Sequence, residues 1–200
     1  MFARIPVNQF AIEKHEDVIP TIYEAFDIAT SGEPGPVFVE LPVNLQLFAE
    51  DVSTMAEYSN QKKVNAVDED KIAKAIELIK NASNPMMFVG WGASDAYNEV
   101  VELAETLCAP VSTTLQGKSS FPNSHPLYTS VGLGASSKPS AQWALEQHDL
   151  LLAIGTRFGE IATGSYGLDQ PKNLIHIDIN PEVFDKNFKT TVAIESDAKK

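Results

Sequence analysis

Five consecutive apolar residues, Leu150-Leu151-Leu152-Ala153-Ile154, constrain this chain more than any other stretch. The run is too short for a helix and has no polar face, so it reads as a strand buried on both sides. Met86-Met87-Phe88-Val89, Pro110-Val111-Ser112-Thr113-Thr114, Asn173-Leu174-Ile175-His176-Ile177 and the short Val192-Ala193-Ile194 read the same way. Between them lie amphipathic helical patterns at Asp68–Lys80, Ala96–Leu107 and Ser140–Gln147. In the first of these Ile72, Ile76 and Ile79 share a face, and Asp68 is the expected cap. Apolar strands alternating with such helices predict a doubly wound, Rossmann-like α/β domain with a parallel sheet over about residues 65–200. Gly117 to Ser137, rich in Gly, Ser and Pro, is expected to be loop.

The first quarter of the chain follows a different plan. Glu16 to Ser31 has a helical period, with Val18, Ile22, Phe26 and Ala29 on one face and Gly32 ending it. Gly35-Pro36 punctuates, and Val37 to Leu41 is expected to be a strand stopped by Pro42. This helix and strand suggest a remnant of another α/β domain at 1–50. Residues 43–67 are polar and lack a sustained period, and the linker is placed at 51–64.

Charge narrows the partners. With 27 acidic and 15 basic residues the net charge is −12, which argues against nucleic acid and against an anionic membrane surface. Cys108 is the sole cysteine, so no internal disulfide can form and a reducing compartment is favoured. At the end of a helical pattern it is expected to be a small buried hydrophobe. No apolar run is long enough to span a bilayer, and a soluble, cytoplasmic chain is expected.

In doubly wound sheets ligands sit beyond the carboxyl ends of the strands, so four loops carry the candidate chemistry. Gly90-Trp91-Gly92 follows a strand and precedes a helical pattern, where glycine allows backbone to approach a phosphate. The third glycine and the ribose-binding acid of a dinucleotide fingerprint are absent, which argues against NAD. Thr114 to Lys118 offers hydroxyl, amide, glycine and cation at a strand end, or an ordinary turn. Gly155-Thr156-Arg157 places an arginine between glycines, suited to a phosphate or pyrophosphate, or to a surface ion pair. Asp178-Ile179-Asn180-Pro181 combines a strand-end acid with a helix cap. Asp178 could take a ribose hydroxyl or merely neighbouring amides.

Catalytic constellations do not emerge. The four histidines, His15, His125, His148 and His176, are far apart in sequence, and no Cys or His stands at metal-ligand spacing. Gly164-Ser165-Tyr166-Gly167 is one residue short of a nucleophile elbow. No catalytic and no metal-ligating residue is assigned.

As an ordered set these segments resemble the thiamine-diphosphate-dependent enzymes of the acetolactate synthase type. Gly35-Pro36-Val37 through Glu40-Leu41-Pro42 and Leu45-Gln46 resembles the segment closing their pyrimidine-binding domain. Pro110 to Lys118 with Phe121-Pro122 and His125-Pro126-Leu127, then Gly155-Thr156-Arg157-Phe158 with Thr163-Gly164, then His176 to Pro181, resemble successive segments of their central domain. Two departures stand out. The family's second arginine, four residues after the first, is Ile161 here, and its Gly-Met-His-Gly segment is replaced near Gly132 to Ser136.

The resemblance implies a piece of a three-domain subunit that decarboxylates a 2-keto acid such as pyruvate and ligates the product to a second carbonyl. It implies thiamine diphosphate and magnesium held mostly by residues outside this chain, a fragment not itself catalytic, and a homo-oligomer. For the central domain it implies FAD, ADP or no nucleotide. The cofactor-binding residues carried over are Gly90, Gly92, Thr114, Gly155, Thr156, Arg157, Asp178 and Ile179. Two other readings stay open: a nucleotide-binding regulatory or scaffold module, and another decarboxylase or lyase of the same superfamily.

Overall fold

The computed structural model describes residues 7–51, 57–58, 66–135 and 137–200. The chain divides into two compact units, Met1–Val64 and Asn65–Lys200. The expected linker at 51–64 lies outside the described residues except at positions 51, 57 and 58, and so do the first six residues of the 1–50 segment.

In the first unit, strand β1 (Asn8–Ala11) pairs in parallel with β2 (Val37–Glu40), from Asn8 opposite Val37 to Ala11 opposite Glu40. Helix α1 (Val18–Thr30) connects them, entered through a short 3-10 turn at His15–Asp17. A one-and-a-half-turn helix, α2 (Val43–Leu47), follows Pro42. The expected helix and strand are both there. Strand β1 and α2 were not expected, since Asn8-Gln9 and Asn44 blur any period.

The second unit opens with α3 (Glu69–Asn81), whose cap Asp68 accepts from the amides of Asp70 and Lys71 at 3.1 and 3.2 Å. Then come β3 (Pro85–Val89), α4 (Tyr97–Leu107), β4 (Val111–Thr113), β5 (Tyr128–Val131), α5 (Pro139–Gln147), β6 (Leu150–Ile154), β7 (Leu174–Asp178) and β8 (Val192–Glu195). These six strands form one sheet, order β5-β4-β3-β6-β7-β8, and every neighbouring pair is parallel. The order runs outward from β3 in one direction and from β6 in the other. This is the strand order of a Rossmann sheet, with its reversal between β3 and β6.

Alternate strand residues feed two cores, as the period of two requires. Met87, Val89, Leu152 and Ile154 pack with Ala75 of α3 and Val100 and Ala104 of α4. Met86, Phe88, Leu151 and Ala153 pack on the other face with Ala144 of α5, Leu133, Phe158 and Phe188. At the amino end of the sheet Asp149 pins β6 to the turn before β3, accepting from the amides of Ser83 and Asn84 at 2.7 and 3.0 Å. Burial opposes its charge, but these amides outweigh that and hold the carboxyl below its ordinary value.

Two expectations are corrected here. Cys108 is exposed, not buried. It ends α4 in the left-handed region (φ 48°), one turn past the core residue Ala104, and the buried position passes to Ala109. The stretch Gly117 to Ser137 is not all loop, because Tyr128–Val131 forms the edge strand β5.

Candidate functional site

In sheets of this order ligands lie beyond the carboxyl ends of the strands where the order reverses, here between β3 and β6. The chain leaves β3 through Gly90 and β6 through Gly155, and the two loops meet backbone to backbone. A Cβ on Gly90 would lie 2.0 Å from the Gly155 carbonyl oxygen. One on Gly155, which has φ +59°, would lie 2.6 Å from the Ala93 nitrogen. Gly117, from the loop after β4, closes the group, its Cβ position 2.6 Å from the Gly90 carbonyl carbon. Only glycine permits this three-loop contact.

The same contact uses the first loop's amides. Gly90 N–H donates to Ile154 at 2.8 Å and Gly92 N–H to Gly155 at 3.1 Å. Residues Trp91–Ala96 form two turns of 3-10 helix, so α4 starts two turns beyond the strand end. These glycines therefore bring backbone to backbone.

Around them sit the hydroxyls. Thr114 Oγ1 accepts from the Gly117 amide at 2.9 Å, and Thr114 N–H extends the ladder to Val89. Buried Ser120, which sequence reasoning did not single out, donates from Oγ to the Gly90 carbonyl at 2.9 Å. Beyond β7, Asp178 is buried, and its Oδ1 accepts from the Asn180 amide at 2.9 Å. Asn180 in turn caps the turn Pro181–Val183 through the Glu182 amide. Ile179 beside it is exposed. Gly155 N–H reaches Ile177 at 2.8 Å, which joins the β7 end to the same edge. All eight sequence-derived candidates thus fall at the carboxyl ends of β3, β4, β6 and β7.

The Arg157 loop is the most constrained part. Gly155 and Phe158 both have positive φ, +59° and 50°. Thr156 Oγ1 accepts from the Phe158 amide at 3.3 Å. The Phe158 ring is buried among Phe88, Phe188 and His176, with centroids 5.6, 5.0 and 5.3 Å away. Buried His176 holds the Thr156 carbonyl from Nε2 at 2.8 Å. A carbonyl only accepts, so Nε2 carries the proton. Burial pushes this imidazole below its ordinary value, against the opposing pulls of the Thr156 carbonyl and Asp185. Arg157 is exposed at the loop's apex. Ile161, where the resemblance expects a second arginine, is 80% exposed and brings no charge.

Chemically, the edge offers a guanidinium on a rigid loop and threonine hydroxyls that keep their own protons for donation. That set suits an anionic or hydroxylated ligand. It contains no nucleophile hydrogen-bonded to a base. Among the described residues no three His, Cys, Asp or Glu side chains converge on one point. No described helix is long and apolar enough to cross a membrane.

The comparisons with known proteins agree with this fold. The family described as thiamine pyrophosphate enzyme, central domain, matches residues 72–200. The acetolactate synthase large subunit of Methanocaldococcus jannaschii, assigned as probable, is 35% identical over 100% of this chain and 35% of its own length. Acetolactate synthase isozyme 1 large subunit of Escherichia coli is 31% identical over 96% of this chain and 35% of its own. The chain therefore spans about a third of the length of the curated relatives it matches. A solved structure from Mycobacterium smegmatis, assigned to the thiamin diphosphate-dependent enzymes, superposes with a TM-score of 0.81 over 97% of this chain and 38% of its own. At 23% identity that likeness speaks for the fold. A Rossmann-ordered sheet, the glycine contact at its reversal and a family match from Ile72 to the last residue lead to one conclusion: this chain belongs to the thiamine pyrophosphate enzymes and carries their central domain.

Proposed function

We propose that the chain is part of an acetolactate-synthase-like enzyme in which residues 65–200 bind a nucleotide and do no chemistry. In this reading 1–50 closes the pyrimidine-binding domain and 51–64 links the two. The whole enzyme releases CO2 from a 2-keto acid such as pyruvate and joins the remaining carbon to a second carbonyl. Thiamine diphosphate, with magnesium, supplies the electron sink. The enzyme works as a cytoplasmic homo-oligomer.

The observation that carries the reading is the meeting of the Gly90, Gly117 and Gly155 loops at the sheet's reversal, with Arg157 rising from it. A diphosphate at Arg157, a ribose near Asp178 and Ile179, and a base across the glycine contact follow the edge of the sheet. The absence of a nucleophile–base pair there favours binding over catalysis. Exposed Ile161 leaves a single arginine for the diphosphate that ADP and FAD both carry.

The test is a calorimetric titration of the purified chain with ADP and with FAD, alongside its visible spectrum. Binding of either nucleotide, weakened about tenfold or more by Arg157→Gln as expected for loss of a charge-assisted contact, supports the reading. A colourless chain that binds neither sinks it.

A further inference from the structure

Three consecutive carbonyls of the Arg157 loop are held by two side chains from elsewhere. His176 takes Thr156 at 2.8 Å, and Asn187 Nδ2 donates to both Arg157 at 3.2 Å and Phe158 at 3.0 Å. Asn187 lies after β7, thirty residues from Arg157 in sequence, and neither its spacing nor its surroundings single it out. Next to it the Phe188 ring meets Phe158 edge to face at 5.0 Å, so the backbone that carries Asn187 is anchored in the same aromatic group.

We propose that Asn187 is a positioning residue for Arg157, fixing the loop apex so that the guanidinium faces the ligand before it binds. This rests on the reading of Arg157 as a ligand residue. Phe158 holds a positive φ that a non-glycine residue rarely adopts. Such a conformation persists where surrounding contacts over-determine it. The Phe158 ring, the Thr156 hydroxyl and the His176 ring constrain the loop on either side of Arg157. Asn187 alone among these contacts bonds the carbonyl of Arg157 itself. Its Nδ2 donates to both carbonyls, so the side chain acts as a two-point clamp. Preorganisation of this kind favours binding by lowering the ordering cost on association.

The test uses the full chain and ADP as the probe. Titrations are run on the wild type, Asn187→Ala, Arg157→Gln and the double variant, with Asn187→Ser as a second substitution should alanine impair folding. Asn187 is exposed, so thermal unfolding should move little. Asn187→Ala should weaken ADP by about three- to tenfold, the size of one or two lost hydrogen bonds. In the Arg157→Gln background the same change should cost less than about twofold, because the residue it positions is gone. Equal losses in both backgrounds overturn the proposal. If the wild type ignores ADP, or Arg157→Gln binds as well as wild type, the reading of Arg157 falls, and the clamp is decided without ligand. For that, backbone order parameters at Arg157 and Phe158 should drop from about 0.85 toward 0.6 in Asn187→Ala. Unchanged values refute the clamp.

Discussion

The two units of this chain are built on the same device, a parallel strand–helix–strand, and they present opposite surfaces. In the six-stranded sheet every residue of β6 is buried, and so is all of β3 after Pro85. In the two-stranded sheet no residue of β1 or β2 is buried, and Phe38 is 39% exposed. The difference is one of neighbours. β3 has a strand on either side and a core on both faces, whereas among the described residues β1 and β2 each have one partner. Burying a Val or Phe side chain contributes roughly 1.5–3 kcal/mol, and the small unit forgoes most of that. Among its described residues the buried apolar ones are Ile12 and Ala25, while Phe26, Val43, Leu47 and Phe48 are exposed. A strand's own residues permit burial; the layers around it supply it.

Two glycine substitutions probe this contrast with the largest expected effect. In Gly90→Ala the new methyl would stand 2.0 Å from the Gly155 carbonyl oxygen, with further backbone at 2.7 and 2.9 Å. Nothing flexible can yield, so two loops at the centre of the sheet must separate. We expect a loss of about 3 kcal/mol or more in urea unfolding. Gly32 in the first unit, unlike Gly90, has positive φ, +59°, and nothing lies within 4 Å of its Cβ position. Gly32→Ala should cost only the left-handed backbone, about 1 kcal/mol. Equal costs would mean that the glycine contact at the sheet's reversal is loose.

Acid offers a second way to sharpen the comparison. The imidazole of His176 is buried in the six-stranded unit, and burial holds its pKa below the ordinary value for histidine. In the folded protein it therefore stays neutral where the unfolded chain binds a proton. Its contribution is present in full above about pH 6.5 and is lost as pH falls from there toward the folded value. Both tryptophans, Trp91 and Trp143, lie in this unit, so their fluorescence reports its unfolding. The urea midpoint read by tryptophan should drop between pH 7.5 and 5.5, with a shallower slope in His176→Gln. An identical slope in that variant would show that the ring is already solvated.

How far the sequence revealed the fold follows the same division. Leu150–Ile154 was legible to the residue because a strand buried on both faces must be apolar throughout. The Asp68 cap was legible because its chemistry is local. The edge strand β5, Tyr-Thr-Ser-Val, was not, since it has a neighbour on one side and keeps polar residues. β1 failed for the same reason. At the candidate site the loops could be placed from strand order, as ligands gather at strand ends. The role of their glycines could not. Gly90 and Gly155 are 65 positions apart and meet only because β3 and β6 pair. Ser120 and Asn187 were invisible for a related reason: each acts on a backbone carbonyl of another loop, and no residue pattern encodes that.

The smallest expected effect is the one that could break the comparison. Leu47, at the end of α2, is 72% exposed. If the first unit does present this face to water, Leu47→Ser removes no buried contact. Its effect on thermal unfolding should then stay within about 0.5 kcal/mol, the range of ordinary surface changes. The mirror substitution, Leu151→Ser in the fully buried β6, creates a cavity and strands a hydroxyl, and should cost several times more. Protein concentration separates the remaining cases. A Leu47→Ser loss above about 1 kcal/mol that grows with dilution would mean that another copy covers α2 in solution. One independent of concentration would mean that the chain itself covers it. Either result would place the apolar face of the first unit inside an interface, and the contrast between the two units would then belong to the isolated chain and not to its state in solution.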